Sequence, residues 1–480
     1  MGWNGEETVN AKKGMSASSK ILLLMIGCIL LIIMLLMMIL MSTKTSSFSV
    51  YVDDLAVDVA IENLLSTVED EVYVNIEEFA RIVGYEYHKG EYKSGTIAED
   101  KCYVEGSNET TSFYLNDNKI YKLSVDKRDE QYEEYTMNNS TINLNDKMYA
   151  PIEIIAKAFN VSLELTDNQL RIYTLDNLVA IYDQNVISWG YESILEQSFE
   201  NKKALLYGFL IVRKQSVEEE QNVDGLYKII DLENTKEIVL DRYTSIEFSE
   251  NTEEFIVTES SKKVGTINLD GTTRIETMYD SISLLSKNYG LYIVKQNEKY
   301  GVISNTGKSI IYPEYDGIGT TGGTNLILNE LIPVCKEKKW GAFNVNGELV
   351  FKLEYDELGY NLNSITINGV KEAVQPLLVI ERANGVVVGK ANKYGLLNTK
   401  GKELVPIAVD GIYGVLGAEN ENSKYFMLYN GEELNVIERL IKAGEIKEDE
   451  EMQEQNGTEN NNIINSSDTN TIYENNVVSE

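Results

Sequence analysis

The chain has 480 residues and a net charge of −33, with 43 Lys and Arg against 76 Asp and Glu. That balance excludes a nucleic-acid binder, which needs basic patches for phosphate, and adhesion to an anionic lipid surface. Three cysteines and one histidine exclude a disulfide-rich scaffold and the usual zinc sites, and the length suffices for two or three domains.

Taken in chain order, the first element is an uncharged run at residues 21–41, rich in Ile, Leu and Met. At 1.5 Å per residue it reaches about 30 Å, the thickness of a bilayer's hydrocarbon core. It predicts one membrane-spanning helix. A cleaved signal peptide and a lipoprotein modified at Cys28 are the competing readings, but the run is long, ends at Leu40-Met41-Ser42-Thr43, and holds Cys28 in its middle. Lys12, Lys13 and Lys20 precede it and only Lys44 closely follows. The expected topology is a cytoplasmic tail over residues 1–20 and an extracytoplasmic chain from residue 42.

Residues 72–87 and 148–163 carry one motif twice, offset by 76. Tyr73, Ile76, Glu77 and Ala80 match Tyr149, Ile152, Glu153 and Ala156. Each copy reads as a short strand entering a helix. Asn75 suits the N-cap with Glu78 at the capping-box position, Pro151 suits a first turn, and Gly84 and Asn160 stand where a left-handed C-cap belongs. Ile76, Phe79, Ala80 and Val83 share one helical face. Residues 50–182 thus form a strand–helix–strand doublet that resembles the copper amine oxidase N-terminal-like (stalk) domain. The first copy departs from it by carrying Asn75 where the family has Pro. The resemblance implies an α+β spacer or wall-contacting module of bacterial surface proteins. It does not imply oxidase chemistry, because His88 is the sole histidine.

Beyond residue 185 the chain repeats itself. Lys-aromatic-Gly occurs at Tyr300-Gly301, Trp340-Gly341 and Tyr394-Gly395, with weaker copies at Gly265 and Gly225. A second glycine follows six residues later, at Gly271, Gly307, Gly347 and Gly401. An aspartate follows fifteen residues after the first glycine, at Asp280, Asp316, Asp356 and Asp410, preceded by tyrosine at Tyr279, Tyr315 and Tyr355. Successive first glycines are 40, 36, 40 and 54 apart. The pattern predicts hairpins whose turns place the second glycine at positive φ, joined by apolar strands such as residues 291–294 and 386–388. Such units bury their faces only by stacking. These residues resemble the WG (KWG) repeat family over residues 204–430, which implies an architecture more than an activity.

The fold expected is mainly β: transmembrane helix, α+β stalk-like domain at 50–182, and β-repeat domain at 185–445. A propeller-like ring of five or six blades is favoured over an open solenoid, with strands near residues 186–210 completing a unit begun at 425–440. Residues 446–480 read as a disordered acidic tail; residues 445–480 hold ten acidic residues, eight Asn and one Lys. The repeat aspartates and aromatics read as structural turns and packing groups, with ligand contacts or sugar stacking as the alternative. The glycine-rich run at 317–323 lacks the ending of a phosphate loop. His88 has no acid at meaningful sequence spacing and reads as a surface residue. Cys102 and Cys335 read as free thiols, with a disulfide between them the alternative. We find no nucleophile–base–acid constellation and expect no cofactor or metal. The function expected is a non-enzymatic, membrane-anchored surface protein presenting the array to a protein or cell-wall polymer. A wall-acting hydrolase or enzyme accessory, and a pure spacer, are the alternatives.

Overall fold

The computed structural model describes residues 48–447 except 93–97, 125–131, 192–196, 215–226, 240–241, 321–325, 416–417 and 419–422. The apolar run at 21–41, the weakest repeat glycine Gly225 and the acidic tail beyond residue 447 lie outside the described residues. No helix of the described residues is long and apolar enough to cross a membrane. The chain divides into two compact units, Met1–Pro313 and Glu314–Glu480. The division falls inside the repeat array.

The doubled motif folds as two matching strand–helix–strand units. The first is Glu71–Asn75, Ile76–Val83 and Glu86–Lys89, and the second is Lys147–Pro151, Ile152–Phe159 and Val161–Thr166. Their leading strands pair antiparallel, Tyr73 opposite Pro151 and Asn75 opposite Tyr149. Asn75 Oδ1 accepts the Glu78 N–H at 3.3 Å, and Gly84 and Asn160 end their helices at φ +82° and +49°. Glu78 departs from a full capping box, since its carboxylate pairs with Arg81 at 2.6 Å. Ile76, Phe79, Ala80 and Phe159 are buried in one core, with the two phenylalanine rings 4.8 Å apart. Between the copies lies a five-stranded meander from Glu86–Lys89 to Glu133–Thr136, whose central strand Glu109–Tyr114 is buried along nearly its whole length. Its polar sequence hides it from a hydrophobicity reading.

Residues 175–207 correct the strands expected near Val186. They form helices Leu175–Ser188 and Phe199–Lys203 and a 3-10 turn Ala204–Tyr207. Thr174 and Ser198 cap the two helices by accepting the Asn177 and Asn201 N–H groups. Leu175, Val179 and Val186 recur at helical spacing and are buried with Leu205 and Leu210.

The array consists of six successive antiparallel sheets. The first has three strands, starting with Phe209–Arg213. The second (Tyr243–Ser249 to Thr273–Tyr279), third (Ser281–Ser286 to Ser309–Tyr315) and fourth (Gly317–Ile318 to Leu349–Tyr355) each have four in simple up-and-down order. The fifth runs from Glu357–Leu358 to Glu403–Val409. The sixth comprises Gly411–Gly414, Tyr425–Tyr429 and Glu432–Asn435, followed by helix Val436–Lys442. The 54-residue spacing reflects an inserted hairpin, Ser364–Ile367 with Val370–Ala373, which forms a separate two-stranded sheet between strands Glu357–Leu358 and Val379–Ile380 of the fifth sheet. Among the described strands, the first sheet takes its strands from residues 209–237 and the sixth from 411–435.

Candidate functional site

The repeat signature is where sequence and geometry meet. In the second, fourth and fifth sheets the third and fourth strands slip register across the first glycine, between Val264 and Thr266, Trp340 and Ala342, and Tyr394 and Leu396. The bulged fourth strand therefore lies directly over that glycine. A Cβ at Gly265, Gly301 or Gly341 would sit 2.5, 2.5 or 2.6 Å from the carbonyl oxygen of Ile275, Ile311 or Phe351. At Gly395 the obstacles are Ile407 at 2.7 Å and the Val405 carbonyl at 2.8 Å. The second glycines have a different reason. Gly271, Gly307, Gly347 and Gly401 take φ of +83°, +78°, +88° and +77°. Their N–H groups close tight turns onto the carbonyls of Asn268, Ser304, Asn344 and Asn398.

Each repeat aspartate is the single residue between one sheet and the next. Lys263, Lys339 and Lys393 pair with Asp280, Asp356 and Asp410. The backbone N–H groups of Asp280, Asp316, Asp356 and Asp410 donate to Lys295, Cys335, Gly389 and Leu428 of the following sheet. Oδ2 of Asp280, Asp316 and Asp356 then accepts the N–H of Asn297, Glu337 or Ala391 at 2.7 Å. Those three residues open two-residue turns at φ +52°, +53° and +51°. The aspartate thus staples a hairpin turn of the next sheet to the strand entering it. The Lys263 and Lys339 hydrogen bonds, helped by the turn N–H groups, hold the Asp280 and Asp356 carboxyls below the usual carboxylate range.

The aromatics pack. Tyr279, Tyr315 and Tyr355 are buried, and Trp340 lies against the cluster of Phe351, Tyr355, Val386 and Val388 that joins the fourth and fifth sheets. Tyr300 is half-buried, with Lys295 Nζ 5.6 Å above its ring. Tyr394 is buried and donates its hydroxyl to Glu357 at 2.6 Å. The signature residues thus engage their own sheet or the sheet that follows.

The other sequence candidates offer no chemistry of their own. His88 stacks on Tyr103 at 4.6 Å; Glu86, two residues earlier on the same strand, and Glu105 of the neighbouring strand lie 3.7 and 3.9 Å from its Nε2. Glu105 is brought there by strand pairing, which sequence spacing did not suggest. Cys102 and Cys335 are free thiols, and burial pushes Cys102 up to about 12. Among the described residues no group of His, Cys, Asp and Glu could hold a metal ion. The cavity between Tyr87, Lys101, Asp146 and Met148 encloses about 70 Å³, far below the several hundred Å³ of small-molecule sites. Of the glycine-rich run, Gly317–Ile318 is the first strand of the fourth sheet. What sequence reasoning missed is a buried charge cluster of Glu109, Lys122, Lys203 and Glu250. The one sequence hint was an asparagine, Asn160, at a helix end where the first copy has Gly84.

The class these features define is a β-rich repeat protein. The family model "WG containing repeat" matches residues 265–300, 300–340 and 340–364, so the chain carries WG repeats there. No curated protein matches the chain. Solved structures that resemble the chain include distant likenesses. PorZ of Porphyromonas gingivalis, described as a surface component of its type-IX secretion system, is 10% identical at TM-score 0.17, covering 69% of this chain and 37% of its own. BamB of Moraxella catarrhalis is 9% identical at TM-score 0.18, covering 78% and 95%. A virginiamycin B lyase of Staphylococcus aureus is 14% identical at TM-score 0.18, covering 73% and 97%. At those scores none carries an argument about this chain.

Proposed function

We propose that this is a non-enzymatic surface protein, held to the cell membrane by residues 21–41, whose repeat array binds a protein or cell-wall polymer. The observation that carries the reading is the engagement of the signature residues within and between neighbouring sheets. The signature builds a scaffold, which leaves the positions that vary between repeats for contacts. Exposed apolar side chains at such positions, Met278, Tyr312 and Leu349 on fourth strands and Val370 on the inserted hairpin, support it. The duplicated N-terminal module resembles a stalk domain and would hold the array off the membrane.

Binding of residues 42–445 to purified wall polymer and to secreted proteins is the direct test. Retention by either, weakened by Tyr312→Ala or Val370→Asp, supports the reading. No binding to any of them favours a pure spacer, and release of fragments from wall glycan would establish the hydrolase alternative. A mature N-terminus near Ser42 would remove the anchor. The propeller-like ring is supported by successive four-stranded up-and-down sheets. It must accommodate one-residue junctions between sheets, which reach only about 7 Å where a blade's rim and axis strands lie about 14 Å apart. Scattering from residues 185–445 distinguishes a ring from a rod.

A further inference from the structure

Within the first compact unit, four charged side chains from three distant segments meet out of reach of water. Glu109 and Lys122 come from adjacent strands of the N-terminal meander, Lys203 from the end of helix Phe199–Lys203, and Glu250 from the first turn of the second repeat sheet. None is more than 4% exposed. Lys122 Nζ lies 2.8 Å from Glu109 and 3.4 Å from Glu250. Lys203 Nζ bonds Glu109 and lies 3.0 Å from Glu250. Two ammoniums thus face two carboxylates in alternation.

The remaining hydrogen-bonding capacity is filled from the second copy of the doubled motif. Lys122 also donates to the Lys157 carbonyl at 2.8 Å and to Asn160 Oδ1 at 2.9 Å. Asn160 Nδ2 donates to Glu109 at 3.1 Å and to the Tyr85 hydroxyl at 3.4 Å. Gly84, the matching residue of the first copy, has open space where a side chain would stand. The duplication is asymmetric at the position that completes the cluster. Around it, Tyr135 and Tyr207 reach Glu250 at 3.4 Å, and Lys157 pairs with Glu253 at 2.8 Å. Lys287, from the corresponding turn of the third sheet, lies 5.5 Å over the Tyr135 ring. Further charged neighbours are Glu200 on Lys203 and Glu133 on Tyr135.

We propose that this cluster is an orientation lock, which fixes the N-terminal module on the second repeat sheet so that it is not a freely swinging stalk. Buried ion pairs add little net stability compared with apolar packing, but they penalise every arrangement that leaves a charge unmatched. Rotating or sliding the module would set ammonium against ammonium or strand a carboxylate.

Native-state hydrogen exchange on the full chain tests the lock without any substitution. Strand Glu109–Tyr114 and strand Tyr243–Ser249 should open together, with the same denaturant dependence. Lys203→Met should lower protection in both strands together, by at least tenfold. Lys203→Met with Glu250→Gln, which restores charge balance, should recover most of that loss. Opening of Glu109–Tyr114 at lower denaturant than Tyr243–Ser249, an effect of Lys203→Met confined to one strand, or no recovery in the double variant would overturn the lock. Should the single variant fail to fold, the wild-type exchange pattern still decides.

Discussion

The two glycines of a repeat should respond differently to the same methyl group. In the third sheet, Gly301→Ala places a Cβ 2.5 Å from the Ile311 carbonyl oxygen and 2.7 Å from Pro313 N, both backbone atoms of the overlying fourth strand. Relief requires the two strands to part by several tenths of an ångström. Overpacking of that kind costs about 1–3 kcal/mol, and because the clash is with backbone we expect the upper end. Gly307→Ala meets nothing nearer than 3.7 Å. It carries only the strain of a non-glycine residue at φ +78°, about 1–2 kcal/mol. Both gain about 0.4–1 kcal/mol from a stiffer unfolded chain. The net expectation is about 2 kcal/mol lost for Gly301→Ala and about 1 kcal/mol or less for Gly307→Ala. Urea unfolding followed by near-ultraviolet circular dichroism, with exchange at the third-sheet amides as a local readout, measures both. If Gly307→Ala proves the more damaging, or Gly301→Ala is silent, the fourth strand does not lie over the first glycine as described.

Replacing Gly347 with Val instead of Ala should cost a few kcal/mol, because a β-branched side chain tolerates positive φ poorly; a wild-type melting temperature would contradict the turn. Asp356→Ala removes the acceptor of the Ala391 N–H and should cost about 1 kcal/mol, whereas Asp356→Asn keeps an acceptor and should cost less, both read by thermal melts. Charge pairing in the cluster holds Glu109 down to about 2 and depresses Glu250 as well, overcoming the burial that would raise them. The unfolded chain then binds more protons below pH 4.5, so the stability these carboxylates supply is complete above that pH and is lost as pH falls toward 2. Urea midpoints should be level from pH 5 to 7 and drop between 4.5 and 2, and Glu109→Gln should make that drop shallower. Chelators should leave the melting temperature unchanged, and a large shift would point to bound Ca²⁺ on the Asp- and Asn-rich loops.

The periodic parts of this protein were legible because their causes are local. A positive φ at Gly307 or Gly347, an N-cap at Asn75 and a left-handed helix end at Gly84 are demands of a few consecutive residues, so spacing alone exposes them. The doubled motif and the repeat offsets are equally visible as self-similarity, and so are the turn and strand positions they imply. The rest depended on partners far apart in sequence. The first glycine of each repeat could be counted, but the reason for it, a bulged strand ten residues on, exists only once the strands pair. The repeat aspartates could be placed in turns, yet their bond to the next sheet's hairpin requires that sheet to be present. The strands expected near residues 186–210 begin instead as the end of helix Leu175–Ser188, whose buried positions face partners around residues 205–230. Nothing in the sequence joins Glu109 to Glu250, 141 residues apart. Only the tertiary structure pairs such charges, because burial makes each of them intolerable without the others.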